Sequence, residues 1–172
     1  MDKEKTGRGA GFTDRALHIL SIRDHSRREL ERKLLRMGCS ETEAAEVTAK
    51  CAAWGYLDDS RFARRFAEEK LRCGWGWQRI YGELLRRGIS EEIAGEIRRE
   101  TDDEKGKQLQ YENARGLARK KAAQGRNFAS VCRFLSSRGF DSETVLAAVK
   151  EAMAEQGAAD GDSQRKKDFD YN

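Results

Sequence analysis

Proline is absent from all 172 residues, so nothing in the chain carries the residue that most firmly breaks a helix. Apolar runs long enough to cross a bilayer are missing too, and Met1 to Gly11 lacks the apolar centre of a secretory leader. Histidine is limited to His18 and His25. The four cysteines, Cys39, Cys51, Cys73 and Cys132, form no CxxC pair and show no zinc-like spacing with either histidine. Cys39 and Cys132 fall where the pattern calls for an apolar residue, which suits buried thiols in a reducing compartment and a cytoplasmic location. Glycine loops that cradle phosphate, GxSxG and HExxH are all lacking, so the sequence offers no catalytic residue, no metal site and no cofactor. With aromatics at 8% and charged residues at 37%, little remains for a sheet buried on both faces.

What is present is helical punctuation. Gly55-Tyr56-Leu57-Asp58-Asp59-Ser60-Arg61-Phe62-Ala63-Arg64-Arg65-Phe66 reads as the end of one helical unit and the start of the next. Gly55 suits a C′ position, and Asp58 suits an N-cap. Leu57 and Phe62 then fall at the two positions of a hydrophobic staple, while Asp59 adds negative charge at the positive end of the helix dipole. Phe62 and Phe66, four apart, face inward. Adjacent carboxylates suggest acid–base or metal chemistry only if they converge; at a helix start they diverge, and capping accounts for both. Upstream, Thr13 is expected to cap a first helix, and Ser26–Glu29 and Ser40–Glu43 read as capping boxes opening a second and a third.

The same pattern then recurs. Leu34-Leu35-Arg36-Met37-Gly38-Cys39-Ser40 is echoed by Leu84-Leu85-Arg86-Arg87-Gly88-Ile89-Ser90 and by Phe134-Leu135-Ser136-Ser137-Arg138-Gly139-Phe140-Asp141. Eight residues before each glycine lies Leu30, Ile80 or Val131, and twelve before lies a cap candidate, Ser26, Gly76 or Asn127. This predicts an all-α chain of three tandem three-helix repeats, with Gly38, Gly88 and Gly139 as C′ residues of the middle helices. The expected boundaries are a disordered tail over 1–12, repeats at 13–57, 58–100 and 101–154, and a second disordered tail over 155–172. A capping box at Thr101–Glu104 is expected to open the third repeat, and Phe128, Val131, Phe134, Leu135, Val145, Leu146 and Val149 supply its apolar stripe.

Arginine dominates the basic residues between positions 15 and 99, although the net charge is only +4. Arg28, Arg32 and Arg36 recur every four residues along one helix face. Arg79, Arg86 and Arg87 take similar places in the second repeat. These, with Arg61, Arg64 and Arg65 and with Lys120 and Lys121 of the third repeat, are the candidates for contact with an acidic protein surface or a nucleic-acid backbone. Trp75 and Trp77 fit packing at a helix corner best, with a stacking surface for bases as the alternative.

The joint motif Gly55-Tyr56-Leu57-Asp58-Asp59 with Arg61-Phe62-Ala63 resembles the signature of the RecX family of bacterial recombination regulators. The likeness extends from about Ala16 to Met153 and takes in Ser26-Arg27-Arg28-Glu29-Leu30, Gly88-Ile89-Ser90 and Arg138-Gly139-Phe140. Trp77 stands where that family often has proline. The resemblance implies an elongated, curved array of three-helix repeats with no enzymatic activity. Its implied partner is the RecA recombinase, above all as its filament on single-stranded DNA, with weak direct contact to DNA. Inhibition of filament growth, strand exchange, ATP hydrolysis and coprotease activity would follow stoichiometrically from occupation of the filament groove, in DNA repair and the SOS response. A monomer without membrane attachment is expected. Two other readings stand beside this one: a helix-turn-helix-like DNA-binding protein acting alone, and a helical-repeat adaptor for another protein. The third helices open with Ser40-Glu41, Ser90-Glu91-Glu92 and Asp141-Ser142-Glu143, which would repel phosphate and weigh against the first of these.

Overall fold

The computed structural model of the chain describes the backbone of residues 3–169 and the side chains of residues 11–158. Among these residues every regular element is an α-helix: α1 (Lys3–Ile22), α2 (Arg27–Arg36), α3 (Glu41–Ala53), α4 (Asp59–Arg72), α5 (Trp77–Arg86), α6 (Glu91–Thr101), α7 (Glu104–Ala122), α8 (Phe128–Ser137) and α9 (Ser142–Phe169). The fold is all-α, and the helices fall into triplets in which α2, α5 and α8 are the middle members.

Each middle helix ends in the same way. Gly38, Gly88 and Gly139 adopt φ of 88°, 85° and 89°, a left-handed backbone that glycine enters without steric cost. Residues 39, 89 and 140 then donate back to Leu34, Leu84 and Leu135 at 3.1, 3.1 and 3.3 Å, and the glycine N–H groups bond Leu35, Leu85 and Ser136. This is the Schellman arrangement, which satisfies carbonyls that the helix end would orphan. Side chains of Ser26, Asn127 and Asp103 cap α2, α8 and α7, accepting from Glu29, Ser130 and Gly106.

The helices gather into two compact units, one of Met1–Ala67 with Glu83–Ile97, the other of Glu68–Gly82 with Arg98–Asn172. In the first, Ala16, Ile19, Leu30, Leu34, Cys39, Ala44, Val47, Cys51 and Leu57 form a continuous core. In the second, Ala114, Ala118, Val131, Leu135, Phe140, Val145, Ala148, Val149 and Ala152 do so. Leu30, Leu34 and Leu135 are fully buried, each contributing on the order of 2 kcal/mol from burial. The face of α7 is built of alanines, which is why its sequence looks weakly apolar although the helix packs closely on α9.

One contact occurs in both units. In the first, the Ser26 hydroxyl at the start of α2 donates to the Arg87 carbonyl at 2.5 Å, and the Arg28 stem lies against Gly88. In the second, the Gly76 N–H at the start of α5 donates to the Arg138 carbonyl at 2.8 Å, the Gln78 N–H donates to the Gly139 carbonyl at 3.0 Å, and Arg79 lies against Gly139. The first turn of a middle helix thus rests on the glycine turn that ends the next middle helix. Gly76 permits backbone-to-backbone approach, since a Cβ there would overlap Gly139 and Phe140.

Several expectations are corrected. Helix α1 begins at Lys3, so Thr13 lies inside it instead of capping it; no proline intervenes, although Gly7, Gly9 and Gly11 are poor helix formers. The expected tails over 1–12 and 155–172 lie partly outside the described residues; where the backbone is described, residues 3–12 belong to α1 and residues 155–169 to α9. Glu155 extends α9 because Arg115 and Arg119 hold its carboxylate. The third repeat is capped by Asp103, because Thr101 still belongs to α6. At the Ser26 cap, Glu29 turns its carboxylate to Arg23 and Arg87, while the reciprocal box forms at Ser40–Glu43. Phe128 and Leu146, expected in the core stripe, are 40% and 47% exposed.

Candidate partner-binding surface

The joint between α3 and α4 divides into an inner and an outer half. Asp58 accepts from the Arg61 N–H at 2.9 Å, as an N-cap should. Leu57, Phe62 and Phe66 are buried, the two rings stacked at 6.0 Å with an 18° interplanar angle. Asp59 does more than its position on the helix dipole foretold: its Oδ1 accepts from the Arg27 N–H at 2.8 Å and so caps the neighbouring helix α2. Only the fold brings those residues together, so no local signal announced the bond.

The outer half carries Tyr56, 57% exposed, with Arg61, Arg64 and Arg65. Leu17, Leu20 and Ser21 of α1, Asp24 after it, and Gly55, Tyr56, Arg61 and Arg65 of the joint line an open groove of about 530 Å³. Leu17 and Leu20 give it an apolar part, and Arg61 and Arg65 place guanidinium groups along its α4 side with the Asp24 carboxylate among them. The Arg61 guanidinium is held in place by a 3.1 Å bond to the Gly55 carbonyl. Arg65 pairs with Asp24 at 2.6 Å, but the two side chains are 67% and 37% exposed, so solvent screens the pair and an incoming carboxylate competes easily. Ile22 and Trp54, adjoining groove residues in sequence, are 70% and 54% exposed.

The remaining candidates of this unit differ in what they have left to offer. Arg28, Arg32 and Arg36 are exposed along α2, with Arg36 Nε donating to the Arg32 carbonyl at 3.1 Å. Arg86 is exposed and joined to Glu83. Arg87 is an internal tie: it bridges Glu29 and Glu83, stacks 4.8 Å from the Phe66 ring, and its side chain is only 28% exposed. It holds α5 to α2 and has little charge to present outward.

In the second unit, Arg79 lies 4.0 Å over the Trp75 ring and Lys70 lies 5.6 Å from it, both cation–π contacts. Trp77 is half-buried beside Gly139 and Asp141, with its Nε1 buried and unpaired. Both indoles therefore serve packing at the corner, and the Trp75 face is covered by cations. Lys120 is exposed. Lys121 sits 5.0 Å from the Phe134 ring, with Arg138 at 5.3 Å from the same ring.

Among the described residues, three thiols and one histidine have shifted proton affinities. Burial pushes the Cys39, Cys51 and Cys132 thiols up, away from reactive thiolate. His25 is buried, and desolvation lowers its pKa, opposed by the bond from Nδ1 to the Arg23 carbonyl. Among the described residues no group of His, Cys, Asp and Glu is arranged to hold a metal ion, and no helix is long and apolar enough to cross a membrane.

Known proteins share these features. Residues 14–51 match the first three-helix domain of RecX and residues 58–96 match the second. Regulatory protein RecX of Shigella boydii is 45% identical over 103 residues, 54% of this chain and 62% of that protein. Its counterpart in Escherichia coli K12 is 44% identical over the same share of each. The match thus spans 62% of the length of these relatives. The crystal structure of RecX from Lactobacillus salivarius superposes with a TM-score of 0.74 at 21% identity, over 86% of this chain and 97% of that one. A second crystal structure, of a regulatory protein RecX, gives 0.72 at 20%, over 88% and 78%. At those identities the structures establish the shared fold, and the two domain matches carry the lineage. The chain belongs to the RecX family.

Proposed function

We propose that the protein is a regulator that binds the RecA recombinase in the cytoplasm, chiefly as its filament on single-stranded DNA. It inhibits filament growth, strand exchange, ATP hydrolysis and coprotease activity by stoichiometric occupation, contributing no catalytic residue. The observation that carries this reading is the consecutive match to both RecX three-helix domains over residues 14–51 and 58–96.

The physical basis is repetition. A helical polymer offers one binding surface many times, and a tandem-repeat chain offers several similar surfaces in sequence, so contacts to neighbouring protomers reinforce each other. Within the first unit, the groove of Leu17, Leu20, Tyr56, Arg61 and Arg65 supplies an apolar part with guanidinium groups along its α4 side. Such a surface takes an apolar side chain flanked by carboxylates, a common interface pattern in which aromatic and arginine residues anchor binding. Arg28, Arg32, Arg36 and Arg64, with Arg79, Lys120 and Lys121 of the second unit, add charge that steers the encounter and touches protein or DNA backbone.

Capture of purified recombinase on the immobilised protein tests this, with and without single-stranded DNA and nucleotide. Retention should rise sharply when filaments are present. The variant Arg61→Glu with Arg65→Glu, if it melts like the parent, should lose most of that retention. Unchanged retention would remove the groove from the interface, and a salt-sensitive shift of duplex DNA without recombinase would favour the stand-alone DNA-binding reading.

A further inference from the structure

The first turn of the middle helix is covered in the first two repeats and bare in the third. Ser26 and Gly76 are buried, whereas Asn127, Phe128 and Ala129 are exposed, Phe128 by 40%. The glycine turns show the complementary pattern. Gly139 is covered by Arg79 and Gly88 by the Arg28 stem, while Gly38 is exposed with nothing within 4 Å of the position a Cβ would take. Beside it Leu35 and Met37 are 40% and 45% exposed. The molecule therefore makes one contact twice within itself, and displays each half of that contact once more, unmatched.

We propose that these two unmatched faces bind each other between copies, the first turn of α8 of one molecule resting on the Gly38 turn of a second. The repeat sets the register to within one residue, since Gly88 meets Arg28, two past Ser26, and Gly139 meets Arg79, three past Gly76. Asn127 stands where Ser26 and Gly76 stand, Ala129 where Arg28 and Gln78 stand, and Met37 where Arg87 and Arg138 stand. The Met37 carbonyl then accepts from Asn127 as the Arg87 carbonyl accepts from Ser26 and the Arg138 carbonyl from Gly76. Phe128 takes the place of Trp77, which is half-buried beside Gly139. The internal ion pair of Arg87 with Glu29 falls at Met37 and Ser130, so an apolar contact replaces a charged one.

Because the two faces differ, the association is heterologous and propagates head to tail instead of closing into a symmetric pair. One helical turn on each side is smaller than a stable interface, so free molecules associate weakly and a monomer prevails when dilute. The inference does not depend on the identity of the partner proposed above.

Sedimentation equilibrium of the full chain from roughly 10 µM to 1 mM tests it, a range matched to weak interfaces. The average mass should rise with concentration. Phe128→Asp and Met37→Asp should each remain monomeric alone. Mixed in equal amounts they should form a 1:1 pair of twice the monomer mass, since each keeps the face the other has lost. Both sites are exposed; should either aspartate variant lose helix content, Phe128→Ser and Met37→Ser replace them. A wild-type mass constant at the monomer value, variants that associate as well as wild type, or a mixture no heavier than its components would each overturn the proposal.

Discussion

The stem of Arg28 occupies the space into which a side chain at position 88 would grow, a Cβ on Gly88 standing 2.5 Å from the Cβ of Arg28. Gly88 is thus held by packing as well as by its φ of 85°, whereas Gly38, at 88°, meets nothing. Gly38→Ala should therefore cost only the left-handed strain, about 1 kcal/mol, and Gly88→Ala a further 1–3 kcal/mol for the overlap. Urea unfolding of the two variants measures the difference. Equal losses would show that the repeat contact is not tightly packed.

The second copy of the contact makes a sharper forecast. A Cβ at residue 76 meets backbone atoms of Gly139 and Phe140, which cannot swing aside as a side chain does. Gly76→Ala should lower the melting temperature strongly, at a cost of roughly 2–4 kcal/mol. Gly82, inside α5 with open space around it, should gain about 0.5–1 kcal/mol on change to alanine.

Arg87 and Arg86 adjoin in sequence but differ in role. Replacing Arg87 by alanine breaks contacts to Glu29, Glu83 and Phe66 and leaves Glu29, 15% exposed, paired with Arg23 alone. A loss of about 1–3 kcal/mol is expected. Arg86→Ala removes a guanidinium 75% exposed and should cost less than about 1 kcal/mol. Thermal unfolding of both variants at one pH checks the ranking.

His25 gives the stability a pH dependence. Its pKa in the folded chain is lowered, with desolvation the largest cause and the charges of Arg23 and Lys33 adding to it against Glu29. The unfolded chain then binds the proton more readily, so this contribution is fully present above the ordinary imidazole value of 6.5 and is lost as pH falls below it. Comparing unfolding free energies of wild type and His25→Gln between about pH 7 and pH 5 isolates the effect. The wild-type slope should be the steeper, and parallel curves would contradict the assignment.

How much of this was legible in the sequence followed the range of each interaction. The glycine turns at 38, 88 and 139, the box at Ser40–Glu43 and the cap at Asp58 involve residues within a few positions, and their spacing announced them. The start of α1 was missed because Gly7, Gly9 and Gly11 argue against helix through Lys3–Phe12, where the backbone is nonetheless helical. The Asp59 bond to Arg27 and the tie from Arg87 to Glu29 link residues far apart in sequence, so composition left Arg87 among outward-facing cations when it faces a neighbouring helix. For the candidate surface, Arg61 and Arg65 were visible as one side of α4. The apolar part from Leu17 and Leu20 became apparent only once α1 was placed beside the joint.

The most direct test of the central claim is ATP hydrolysis by RecA on single-stranded DNA, titrated with this protein. Turnover should fall as protein is added and level off once the filament is saturated, with the Arg61→Glu, Arg65→Glu variant displaced to higher concentration. Turnover that stays unchanged through a large excess of folded protein would contradict the account.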